Sequence, residues 1–177
     1  MRTLILTLLL WPVAAGAYEI GDEVADIVLT DLEGDPVALS DHDGQVIVLN
    51  FFATWCPGCN EEAAVLEQDI WQVYQEDGVV VIAIDIAEPV GLVAGWAAAN
   101  ELTYHIWLSP DWAVMAPFTP SPVLPYNAVI DRDLTLRYAQ AGFDRDEIVA
   151  VIETVLEEDT TPVSSRTWSG VKTLFGP

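Results

Sequence analysis

Val48-Leu49-Asn50-Phe51-Phe52-Ala53-Thr54-Trp55-Cys56-Pro57-Gly58-Cys59 is the segment on which the reading of this chain turns. It holds the only two cysteines, three residues apart. Before them, residues 45–53 are apolar apart from the opening Gln45 and Asn50, which predicts a central strand buried on both faces. After them, residues 59–77 predict a helix. Ala63, Leu66, Ile70, Val73 and Tyr74 fall on one stripe, and Gly78 stops it. A strand that delivers Cys-x-x-Cys to the first turn of a helix points to thiol redox chemistry.

The physical case rests on position. Residues three apart on a helical turn lie within the Cα separation that a disulfide needs. Pro57 suits the first helical position, where a missing N–H costs nothing. Cys56 then stands at the helix N-terminus, where unpaired N–H groups and the helix dipole favour a thiolate, the species that attacks disulfides. Cys59, one turn in, is placed to resolve the mixed disulfide. Trp55 either covers one side of the site or packs in the core. The competing readings of the pair are a structural cross-link or half of a metal site. A loop this short gains little from cross-linking. A zinc or copper site needs more soft ligands, and His42 and His105 lie at no ligand spacing.

Charge tunes the expectation. The basic residues are Arg2, Arg132, Arg137, Arg145, Arg166 and Lys172, none near the pair in sequence. Glu61 and Glu62 follow in the first helical turn and oppose a second negative charge. The expected result is a thiol lowered only modestly at Cys56, and a reducing rather than strongly oxidising couple.

Outward from this segment, the rest reads as alternating strands and helices. Residues 27–30 and 36–39 flank the turn Glu33-Gly34-Asp35 as an N-terminal hairpin. Strands are expected at 79–86 and 104–108, and helices at 90–100 and, briefly, 111–116. A proline-rich stretch spans 117–125. Strands at 127–130 and 135–141 turn at Asp131-Arg132-Asp133. A helix at 144–156 closes the domain, with Ile148, Val149, Ile152 and Leu156 facing in. This pattern predicts a parallel α/β core with an antiparallel edge.

The ends have their own signatures. Met1-Arg2-Thr3, an apolar run over residues 4–13 and Ala15-Gly16-Ala17 form a signal-peptide pattern, 1–17, with an uncleaved anchor as the alternative. The domain would then cover 18–156. The tail, 157–177, is rich in Thr and Ser but carries Trp168, Leu174 and Phe175. The whole chain has a formal charge of −22, one unit more negative without Arg2. Such a surface repels nucleic acid and anionic lipid headgroups, so no nucleic-acid partner is expected. An exported chain with one close cysteine pair fits an oxidising compartment.

The segment 48–59 resembles the active-site segment of the thioredoxin superfamily, most closely the exported TlpA/ResA-like thiol–disulfide oxidoreductases, including the cytochrome c maturation reductants. The N-terminal half, with its hairpin and Leu39-Ser40-Asp41, resembles the redoxin/AhpC-TSA group. The similarity spans residues 24–156. It implies a thioredoxin-like fold: a central mixed sheet flanked by helices, with an added N-terminal β-hairpin. By this resemblance Cys56 is the nucleophile and Cys59 the resolving cysteine. Pro125, in Leu124-Pro125-Tyr126-Asn127, matches the cis proline that faces the cysteines, although most X–Pro bonds are trans. Leu124 would offer its backbone to an extended substrate, beside Trp55, Pro57 and Gly58. Asn50 stands where thioredoxin has a buried Asp. Glu88 matches a glutamate near the active site and would exchange a proton with Cys59; the alternative is a solvated turn residue before Pro89. The peroxiredoxin signature Thr-x-x-Cys is absent, because Thr54 stands only two residues before Cys56.

The resemblance implies an enzyme that reduces protein disulfides without a bound cofactor, and a membrane electron donor of the DsbD/CcdA type. Two alternatives stay open. One is a disulfide oxidase or isomerase. The other is a non-catalytic module that binds a partner or delivers a metal.

Overall fold

The computed structural model describes residues 16–160. The expected hairpin forms from β1 (Val28–Asp31) and β2 (Pro36–Ala38). Strand β3 (Val46–Phe52) is buried at every position, as is β4 (Val79–Ile86), which falls on the residues expected. β5 (His105–Ser109) starts one residue later than the sequence suggests. β6 (Tyr126–Ile130) and β7 (Leu136–Ala141) complete the set. The seven strands form one mixed sheet in the order β2-β1-β5-β4-β3-β6-β7. β3, β4 and β5 run parallel, and β6 and β7 add the antiparallel edge. The hairpin extends the opposite edge, because β1 pairs antiparallel with β5.

Side-chain alternation along β3 divides the core. Val46, Val48 and Phe52 face the helices α1 (Pro57–Val65), α3 (Val90–Ala99) and α4 (Arg145–Thr160), and pack with Leu66, Val93, Ala97, Ile148 and Ile152. Ile47, Leu49 and Phe51 face the other way, against Val24, Leu39, Met115 and Phe118. The second face is thus covered by the N-terminal segment and the short 3-10 turn Trp112–Met115. Asn50 shares the helix-facing side of β3 and is only 2 % exposed.

One expectation about helix phase is corrected. The segment after Cys59 is not one regular helix. It passes from α1 into a π-helical stretch, Leu66–Trp71, then α2 (Gln72–Tyr74) and a 3-10 turn, and ends at Gly78 with φ 84°. A π turn takes more residues than an α turn, so the stripe loses register after Ile70. Val73 rotates out to 55 % exposure, while Tyr74 turns back and donates to Glu153 Oε1 at 3.1 Å. In α4, Leu156 packs against the core partly buried as expected, Val155 joins it fully buried, and the helix runs to Thr160, four residues into the expected tail. Most of the signal-peptide segment (1–15), and Trp168, Leu174 and Phe175, lie outside the described residues. Among the described residues, no helix is long and apolar enough to cross a membrane.

Candidate active site

The site lies at the C-terminal ends of the parallel strands, where the chain leaves β3 and enters α1. Cys56 caps α1 in an extended conformation, Pro57 takes the first helical position, and the Cys59 N–H donates to Cys56 Sγ at 3.2 Å. Cys56 and Cys59 are joined as a disulfide, Cα atoms 5.3 Å apart. Both are buried, at 4 % and 1 % exposure. The helix N-terminus therefore points a backbone donor at the sulfur expected to carry charge.

Pro125 arrives from the loop before β6, and the Leu124–Pro125 peptide is cis. Its ring faces Gly58: a Cβ added there would sit 3.2 Å from Pro125 Cδ. Gly58, Pro125, Glu61, Glu62, Gly142 and Phe143 line a groove of about 290 Å³ beside the disulfide. Gly58→Ala is expected to hold stability within about 1 kcal/mol, because alanine's helix preference offsets the crowding. Turnover of a protein disulfide should slow, because the added methyl narrows the groove. A thermal melt and a rate measurement separate the two effects. Trp55 does not pack in the core: at 63 % exposure it stands out beside the pair.

Beneath the pair lies a buried carboxyl that its position in the sequence does not announce. Glu62, one helical turn past Cys59 on the same face, points inward and is 2 % exposed. Its Oε1 accepts from Asn50 Nδ2 at 2.6 Å, and its Oε2 from Asn127 Nδ2 at 3.3 Å. Asn50 Nδ2 also donates to Asn127 Oδ1 at 3.0 Å. Burial pushes the Glu62 carboxyl up to about 8, against the opposing pull of these two amides. Glu62 is therefore mostly protonated at neutral pH and does not add the negative charge that its sequence position suggests. A signal for it was present. Asn50 interrupts an apolar strand on its helix-facing side, and a buried amide needs partners.

Glu88 lies in the loop after β4, beside the segment that leads to Cys56. It is half-buried, and its two oxygens accept from Thr54 N at 2.5 Å and Thr54 Oγ1 at 2.8 Å. It holds the loop leading to Cys56, and its hydrogen bonds reach Thr54, not Cys59. The Glu88 N–H donates to Asp85 Oδ2 at 3.0 Å. Asp85 is fully buried, and burial, with the Glu88 carboxylate adding to it, raises its carboxyl to about 7. The three described arginines lie elsewhere. Arg137 pairs with Asp131 and Glu158, Arg145 pairs with Asp69 and Asp146, and Arg132 donates to Asp77 O. His42 and His105 pack against each other in a tilted arrangement, ring centres 5.2 Å apart.

Comparison with known proteins agrees with this geometry. The thiol–disulfide oxidoreductase ResA of Geobacillus kaustophilus is 29 % identical over 166 residues, covering 88 % of this chain and 94 % of that protein. ResA of Geobacillus thermodenitrificans is 32 % identical over 143 residues, covering 75 % and 81 %. A Chlorobium tepidum protein assigned as the thiol:disulfide interchange protein DsbE superposes with a TM-score of 0.72 at 22 % identity, over 79 % of this chain and 99 % of that one. The fold is thioredoxin-like, and the activity is that of a thiol–disulfide oxidoreductase. The AhpC/TSA family pattern matches residues 20–139, and the chain belongs to the AhpC/TSA family.

Proposed function

We propose that this protein is an exported reductase of protein disulfides. The observation that carries the reading is the Cys56–Cys59 pair at the N-terminus of α1 with the buried, mostly protonated Glu62 one turn below. In the reduced protein the Cys56 thiolate attacks one sulfur of a substrate disulfide. A Cys56–substrate disulfide forms, and the other substrate sulfur leaves as a thiolate. In the fraction of molecules whose Glu62 carboxyl is ionised, about one in ten at pH 7, the Cys59 thiol then passes its proton to it and attacks Cys56 Sγ. This releases the second substrate thiolate and leaves the Cys56–Cys59 disulfide. A carboxylate near 8 is matched to a thiol's ordinary value, so proton transfer between them is close to balanced.

The groove beside Gly58 and Pro125 is the place for an extended polypeptide substrate, and the exposed Trp55, with Pro57 and Leu124 adjoining the groove residues in sequence, is assigned to further contacts. Export is supported by the signal-peptide pattern of residues 1–17. A donor of two electrons must restore the dithiol. By analogy with the TlpA/ResA type, it is a membrane protein of the DsbD/CcdA kind, and cytochrome c maturation is the setting.

Direction is tested by the midpoint potential of the Cys56–Cys59 couple, measured against a glutathione or dithiothreitol series. The three described arginines are engaged away from the site, so among the described residues no arginine or lysine pairs with the thiolate. The expected value lies toward thioredoxin, about −270 mV, rather than toward strong oxidants at about −120 mV. A value at the oxidising end overturns the reductase reading in favour of an oxidase.

A further inference from the structure

Asn60, the residue after Cys59, is exposed, yet its side chain makes no bond to a chance neighbour. Nδ2 donates to Thr54 O at 2.9 Å and to Cys56 O at 2.7 Å, the two carbonyls that flank Trp55. Oδ1 accepts from Trp96 Nε1 at 2.7 Å. The orientation of the amide is dictated by chemistry. An indole N–H only donates and a peptide carbonyl only accepts, so one placement alone satisfies all three partners. Trp96 comes from α3 and is itself fixed, stacked on Phe52 at the end of β3 with ring centres 4.7 Å apart. From the other side Glu88 binds the N–H and hydroxyl of Thr54. The three-residue loop 54–56 is thus gripped at Thr54 and at Cys56, with Trp55 free between them.

We propose that Asn60 is a positioning residue for the dithiol. Latched to Trp96, its amide fixes the carbonyls of Thr54 and Cys56 and so holds the Cys56 sulfur over the N-terminal N–H groups of α1. The inference rests on the proposed reductase reading only in taking Cys56 as the reactive sulfur. Neither neighbouring type performs the task. Aspartate keeps the indole bond but sets a carboxylate against two carbonyl oxygens and adds charge near the thiolate. Leucine fills similar space and makes none of the three bonds.

The test is the pH profile of Cys56 alkylation by iodoacetamide in the reduced full-length chain, read by peptide mapping. Asn60→Asp is expected to leave about tenfold less Cys56 thiolate at pH 7 than the parent. If that fold-change passes wholly into the equilibrium, the disulfide potential falls by about 30 mV. Trp96→Phe keeps the ring over Phe52 but frees Asn60 Oδ1; about threefold less thiolate is expected. It carries the test should Asn60→Asp fail to fold. Parent-like profiles and potentials, with or without a lowered melting temperature, overturn the proposal and leave Asn60 a structural residue. Because the titration uses no substrate, that outcome leaves the reductase reading standing. An oxidising parent potential would sink that reading without touching this one.

Discussion

Cys56→Ser is expected to lower turnover of a protein disulfide by about 10³-fold or more, while Cys59→Ser stalls after one attack as a covalent adduct. The asymmetry follows from placement. Cys56 caps α1 and receives the Cys59 N–H, so its sulfur is the one the helix end stabilises as an anion. A serine hydroxyl at the same position stays protonated at neutral pH and makes no bond to sulfur that survives exchange. Cys59 is the less exposed of the two, and Glu62 follows it by one helical turn on the same face. With serine there, the mixed disulfide at Cys56 has no internal attacker. Turnover of insulin under dithiothreitol measures the first variant. Intact-mass analysis after incubation with oxidised insulin measures the second, as a shift by one insulin chain. An adduct on Cys56→Ser and none on Cys59→Ser would reverse the two roles. Parent-like turnover by both would show that the pair is not the catalyst.

The order of strands and helices is legible because the two central strands, β3 and β4, are long runs each broken by a single polar residue, Asn50 and Asp85, and turn residues bound the shorter strands around them. Residues 79–86 lie between Gly78 and the loop holding Glu88-Pro89, and the strand keeps those bounds. The cysteine pair was legible because spacing, Pro57 and the preceding strand all specify one location, the N-terminus of a helix. What could not be read was helix phase. Glu61 and Glu62 are neighbours of one type, and 100° of rotation decides which of them is buried. Only the partners across the core, Asn50 on β3 and Asn127 on β6, choose Glu62. The π turn at Leu66–Trp71 has no signature in a run of ordinary helix formers, so Val73 was assigned to the wrong side. The nearness of Glu88 to the site is legible, but its hydrogen-bond partner is not, because Thr54 lies 34 positions away on a loop with no periodicity.

Glu62→Gln is expected to flatten the dependence of stability on pH and to slow turnover together, through the same proton. The sign follows from the direction of the shift. In the unfolded chain the carboxyl titrates near 4.5; in the folded protein burial holds it at about 8. The folded state therefore keeps a proton that the unfolded state has released. The stability tied to that proton is fully present below pH 4.5, falls as pH rises toward 8, and is gone above it. For one nearly fully buried group the loss is on the order of 5 kcal/mol. Asp85, raised to about 7 chiefly by burial, adds a loss of the same sign over a lower window. Glutamine carries no proton to lose. Its Oε1 can still accept from Asn50, but its amide nitrogen meets the donor of Asn127, at a cost of about 1 kcal/mol. The variant should thus be slightly less stable than the parent at pH 5 and more stable at pH 9, with the curves crossing between. Urea unfolding at half-unit pH steps measures this. Turnover should fall by about 10²-fold, because Cys59 has lost its proton acceptor. Parallel stability curves would mean that Glu62 does not titrate in this range. Parent-like turnover beside a flattened curve would leave Glu62 as a buried acid without a part in the thiol chemistry.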